Sequence, residues 1–100
     1  MGLSHDGAKI LNIMWYVYIL LLRNKQLYTG FSSNLKQRLL EHQNGKVYFT
    51  KYRLPAKLIH YEVYLLEDDA RRREKFLKTT EGKKLLRRQL STLLKELGLK

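Results

Sequence analysis

Glu74 stands in an odd place for a carboxylate. On a helix over 70–79, Ala70 and Leu77 flank it at i − 4 and i + 3, inside a stripe that is otherwise apolar. A carboxylate buried there without a partner would be strongly disfavoured. Either a cation at helical spacing, Arg71 or Lys78, can pair with it, or a hard divalent ion can. Mg²⁺ often takes one or two protein carboxylates and completes its octahedron with water and substrate phosphate. Arg38 raises a second question. On a helix over 35–44 it shares a face with Leu35 and His42, the side that should meet a sheet. Its guanidinium is either a snorkelling group paired to Glu41, Glu62 or another carboxylate, or a planar fork aimed at phosphate. Tyr18 and Tyr28 lie ten residues apart across an expected hairpin, and Arg38 follows Tyr28 by another ten. Ordinary strand packing accounts for either tyrosine taken alone.

These residues need elements to hold them. From Tyr16 to Leu22 both alternating faces are apolar, which predicts a central strand covered on both sides. After a polar break at 23–26, with Asn24-Lys25 as the turn, Leu27 to Gly30 predicts a second strand paired as a hairpin. Ser33 or Asn34 can cap the helix over 35–44, and Asn44-Gly45 supplies a left-handed stop. A basic connector, 46–57, carries three aromatics and the single proline, Pro55. A third strand follows at 58–66. Asp68 and Asp69 suit the start of the helix over 70–79, because carboxylates oppose the dipole there. Beyond Gly82 a last helix, 83–97, carries Leu86, Leu90, Leu93 and Leu97 on one stripe. The order β-β-α-β-α-α, with a hairpin and segregated helices, predicts an α+β fold on an antiparallel sheet.

The chain has 100 residues, with 20 Lys and Arg against 9 Asp and Glu for a net charge of +11. That length suits one domain, placed at 14–97. Residues 1–13 show no clear period and read as a flexible lead, an expression remnant or an upstream start. The apolar fraction of 44% excludes a long disordered chain. The absence of cysteine excludes disulfide scaffolds, thiolate metal sites and cysteine nucleophiles. The longest apolar run, Ile13 to Leu22, is ten residues, half of the roughly 20 that a membrane span requires. No membrane association and a cytoplasmic location are therefore expected. Eleven of the basic residues fall within 71–100, against only Glu74, Glu81 and Glu96. A field so concentrated attracts polyanions, which makes nucleic acid the leading partner. Arg71, Arg72 and Arg73 point in three successive helical directions, so only part of that run can meet one phosphate track. In the connector, Lys46, Tyr48, Lys51, Tyr52 and Arg53 interleave cations and rings, a pattern suited to phosphates and unpaired bases or to packing on the sheet.

Taken in order, the residues resemble the GIY-YIG endonucleases, in particular the small single-domain bacterial type. Tyr16-Val17-Tyr18 resembles the first triplet and Tyr28-Thr29-Gly30 the second. Arg38 and His42 follow on the next helix, and Arg72-Arg73-Glu74-Lys75 surround the counterpart of the family's metal-binding Glu. The likeness covers residues 14 to 80. Tyr16 stands where the family has Gly, Thr29 where it has Ile, and the family's late Asn has no clear counterpart. The resemblance implies a three-stranded antiparallel sheet flanked by helices and divalent-metal-dependent hydrolysis of phosphodiesters, in DNA ahead of RNA. It implies that Glu74 holds Mg²⁺ or Mn²⁺ and that Arg38 neutralises charge on the reacting phosphate. Tyr18 becomes the first choice for general base, with Tyr28 positioning the water or exchanging roles with it. A free tyrosine titrates near 10, so that base must be tuned by its neighbours. His42 is left to bind phosphate, to assist proton transfer or to serve structure. Lys46, Lys51, Tyr52, Arg53 and Arg72 are the expected contacts to nucleic acid. Weak sequence preference is expected, set by substrate shape or by a protein partner, in a monomer or a homodimer. The alternatives are a non-catalytic nucleic-acid-binding module on the same fold and, third, a membrane-surface protein whose basic last helix lies in the interface.

Overall fold

A computed structural model describes residues 13–99. The lead assigned to 1–13 falls, apart from Ile13, outside them. Strands β1 (Trp15–Leu21) and β2 (Leu27–Ser32) are followed by helices α1 (Leu35–Gln43) and α2 (Tyr48–Lys51). Strand β3 (Lys57–Tyr64) leads into α3 (Glu67–Leu77), α4 (Thr80–Gln89) and α5 (Ser91–Glu96). The sheet is antiparallel with order β2-β1-β3, and helices flank it, as the α+β reading expects. β1 is central because both its faces are apolar. Val17 and Ile19 pack with Ala70, Leu77 and Leu86 beneath α3 and α4. Tyr18, Leu20 and Leu22 pack on the other face with Tyr28, Leu35, Leu39 and Leu58. The hairpin turn places Lys25 at φ 73°, and the Asn24 side chain accepts from the Gln26 amide at 3.1 Å, which supports the left-handed residue. That turn fixes the register in which Tyr18 lies opposite Gly30 on β2 and Tyr61 on β3.

Asn34 caps α1 by accepting from the Gln37 amide at 3.1 Å, a contact worth about 1 kcal/mol. Gly45, at φ 73°, turns the chain out at the other end. Several expected boundaries move. β2 continues two residues past Gly30, and β3 begins at Lys57 and ends at Tyr64 rather than Leu66. α3 begins at Glu67, not Ala70: Leu66 occupies its N-cap without a side-chain bond, and Glu67, Asp68 and Asp69 all sit in the first turn, where they favour the helix through its dipole. The connector is not wholly irregular, since Tyr48–Lys51 form a helical turn. Gly82 is no spacer before the last helix. Thr79 is the cap, accepting from the Gly82 amide at 3.0 Å, and a side chain at 82 would overlap the Phe76 carbonyl where α4 starts beside α3. The helix expected over 83–97 is two, broken at Leu90. Leu86 and Leu94 turn inward and are buried, while Leu85 is exposed.

Candidate active site

Tyr18 projects from the middle of β1 toward the α1 face of the sheet and lies across Gly30. A methyl group at 30 would fall 2.7 Å from Tyr18 Cε1 and overlap Cζ and the hydroxyl oxygen, so the phenol occupies the space that the missing side chain leaves. Its hydroxyl oxygen is 2.8 Å from His42 Nε2. His42 comes from the last turn of α1, one helical turn after Arg38, and its Nδ1 is 2.8 Å from Thr50 Oγ1 on α2. Tyr18, His42 and Thr50 are all buried, at 0%, 1% and 0% exposure. The His42 ring stands edge-on to Tyr18 at 5.6 Å and to Tyr28 at 5.2 Å, with the two tyrosine rings 6.4 Å apart. Phe49, also from α2, covers Tyr28 at 5.6 Å. Tyr28 itself is half-buried.

Charges ring this aromatic pocket. Arg38 Nη1 donates to Glu41 Oε1 at 2.9 Å, and the guanidinium lies near enough to the Tyr18 phenol to influence its titration. Burial pushes the Tyr18 hydroxyl up to about 12, with Arg38 opposing the rise and Tyr28 and the Glu74 carboxylate adding to it. Glu74, on α3, thus lies close enough for its charge to be felt at that phenol. Burial, reinforced by Arg38 and countered by Glu41, holds His42 down at about 4, so its imidazole is neutral at pH 7. Glu74 Oε2 accepts from Lys78 Nζ at 3.0 Å, the helical pairing that the sequence allows. Lys78 is more than half in water, so the pair is open to exchange. Among the described residues no group of three or more His, Asp or Glu could hold a metal. Glu74 is a single hard oxygen donor, which fits Mg²⁺ or Mn²⁺ only where water and phosphate supply the remaining ligands.

The family model for the GIY-YIG catalytic domain matches residues 14–87, a span holding every side chain of this pocket. The chain belongs to the GIY-YIG nuclease family. Two UPF0213 proteins of Streptococcus pyogenes, from serotypes M5 and M2, are each 48% identical to it over 50 residues, 49% of this chain and 54% of theirs. The chain thus spans about half the length of the curated relatives it matches. A UPF0213 protein of Bacillus halodurans, solved by solution NMR, is 29% identical, with 73% of this chain and 81% of that chain covered and a TM-score of 0.49. Among the described residues no helix is long and apolar enough to cross a membrane.

The GIY-YIG domain brings Tyr18, Tyr28, Arg38 and His42 together and sets Glu74 within electrostatic reach. The remaining expected contacts distribute differently. Tyr48 and Tyr52 stand 81% and 68% exposed on and beside α2, with Lys51 Nζ over both rings at 5.8 and 4.9 Å. Arg53 lies over Phe49 at 4.3 Å, and Lys46 is exposed at the α1 exit. The connector therefore lays Phe49, itself partly exposed, on Tyr28 and turns Tyr48 and Tyr52 to solvent. Arg72 is exposed and pairs with Asp69 at 3.0 Å. Three features were not singled out in the sequence. Thr50 was hidden in the connector, and Gly30 was read only as part of a triplet. Arg73 grips Glu62 through two bonds, 2.9 and 3.2 Å, while His60 and Tyr64 donate to the same carboxylate. Glu62 is thereby committed to Arg73, not to Arg38.

Proposed function

We propose that this GIY-YIG protein is a divalent-metal-dependent endonuclease that hydrolyses phosphodiester bonds in DNA, recognising strand structure more than sequence. The observation that carries this reading is the packing of Tyr18, Tyr28 and His42 into one cluster under Phe49, with Arg38 one helical turn before His42 on α1. Glu74 would hold Mg²⁺ or Mn²⁺ beside the scissile phosphate, where the ion supplies charge neutralisation. Arg38, held by Glu41, would present its remaining N–H groups to the phosphate as charge builds there. The roles of the two tyrosines exchange relative to the first expectation. Tyr18 has no exposure and its burial keeps its proton on, so it orients Arg38. Tyr28, half-buried, is the phenol that meets the attacking water. The exposed rings of Tyr48 and Tyr52 around Lys51 suit unpaired bases, and Lys46, Arg53 and Arg72 suit the backbone.

A non-catalytic binding module is favoured by one observation, the Lys78 ammonium seated on Glu74. Labelled duplex, branched and single-stranded DNA and the matching RNA, incubated with Mg²⁺, with Mn²⁺ and with EDTA, separate the two readings. Cleavage that needs a metal and is lost in Arg38→Ala supports the nuclease. Binding without cleavage in either metal selects the module.

A further inference from the structure

The hydrogen-bond chain through Tyr18, His42 and Thr50 has a direction, and its two ends set it together. Tyr18 donates one proton and has no exposure to water. The hydrogen-bond partner the structure gives it is His42 Nε2, at 2.8 Å. If Nε2 carried the histidine proton, the Tyr18 O–H would be a buried donor without an acceptor, a loss of about 1–3 kcal/mol. With Nε2 bare, every group is satisfied. The Tyr18 hydroxyl donates to Nε2, Nδ1–H donates to Thr50 Oγ1 at 2.8 Å, and the Thr50 hydroxyl donates to the Val47 carbonyl at 3.4 Å. No buried side-chain nitrogen or oxygen among the described residues is then left unpaired.

We propose that Thr50 is a positioning residue for the reaction: its hydroxyl holds His42 in the Nδ1–H tautomer, which draws the Tyr18 proton inward and leaves the phenol oxygen as an acceptor only. Which ring nitrogen of a histidine is protonated follows from the bond that the other one makes, and among the described residues Thr50 is the group at Nδ1. Arg38, already bonded to Glu41, is then offered an oxygen whose single proton is committed to His42. Only the effect on turnover rests on the nuclease reading; the tautomer does not.

The test is a long-range ¹H–¹⁵N correlation spectrum of the histidine rings in the full chain at pH 7, with cleavage measured alongside. Wild type is expected to show the Nδ1–H pattern for His42. Thr50→Val, which offers no acceptor, is expected to switch His42 to Nε2–H and to lower turnover about tenfold or more with DNA affinity retained. Thr50→Ser should restore both the tautomer and the turnover. If Thr50→Val does not fold, Thr50→Ala, which adds no bulk, carries the same expectation. An Nε2–H pattern in wild type, an unchanged tautomer in the Val or Ala variant, or undiminished turnover there overturns the proposal. A wild-type protein with the Nδ1–H pattern that cuts nothing supports the tautomer and removes the nuclease reading instead.

Discussion

Gly30→Ala tests whether the Tyr18 phenol depends on a missing side chain. The new methyl would overlap Tyr18 Cζ and its hydroxyl oxygen, while His42 holds that hydroxyl from the other side at 2.8 Å, so the ring has to swing away from its place. Forcing one carbon into a packed core destabilises by about 1–3 kcal/mol, and breaking the bond to His42 in a dry site adds about 1–3 kcal/mol. The backbone itself offers no objection, because Gly30 is not among the glycines with positive φ. In a strand without the ring, alanine should be more stable than glycine by about 0.5–1 kcal/mol. Urea denaturation followed by the fluorescence of Trp15, the single tryptophan, reads the effect. Gly30→Ala alone is expected to lose about 2–6 kcal/mol. In a Tyr18→Leu background it should be neutral or stabilising. A Gly30→Ala protein as stable as wild type, or the same loss in both backgrounds, would refute the steric argument.

Three further outcomes are expected. His42 stays neutral in the fold down to about pH 4, whereas an unfolded histidine protonates near 6.5. Its contribution is therefore intact above pH 6.5 and lost as pH falls toward 4, about 3 kcal/mol in all. His42→Gln should flatten the stability profile between pH 7 and 4, and a His42 ring signal in NMR that titrates near 6.5 would contradict this. Arg73→Leu leaves the Glu62 carboxylate, 19% exposed, with only His60 and Tyr64 as donors, and should lower stability by about 1–3 kcal/mol in the same urea assay. Binding of this highly basic chain to DNA should weaken steeply between 50 and 200 mM salt, and Lys51→Ala should make the slope of log K against log salt shallower by about 1; fluorescence anisotropy across a salt series measures it.

Much of the frame was legible because each element carries a local signal. The apolar faces of β1, the Asn34 cap and the Gly45 stop are all short-range chemistry, and the structure follows them. Glu74 was conspicuous for the same reason, a carboxylate out of period. What escaped is set by tertiary contact. Thr50 matters because α2 folds back over His42, and nothing in Phe49-Thr50-Lys51 announces that turn. Glu62 and Arg73 meet across a strand and a helix eleven residues apart, a distance at which no periodicity speaks. Gly82 looked like a helix breaker because glycine usually is one, yet the approach of α4 to the Phe76 carbonyl requires it. The break at Leu90 has no local marker, since its neighbours Gln89 and Ser91 are both compatible with helix.

The most direct measurement is single-turnover cleavage of end-labelled branched DNA by the chain and by Glu74→Gln, each with saturating Mg²⁺ and each paired with a binding curve. The expected result is cutting by the natural chain, none by the variant, and affinities within a few fold of one another, since the basic residues that hold the backbone are untouched. Equal cutting by both proteins, or none by either with Mg²⁺ or Mn²⁺, would contradict the role given to Glu74.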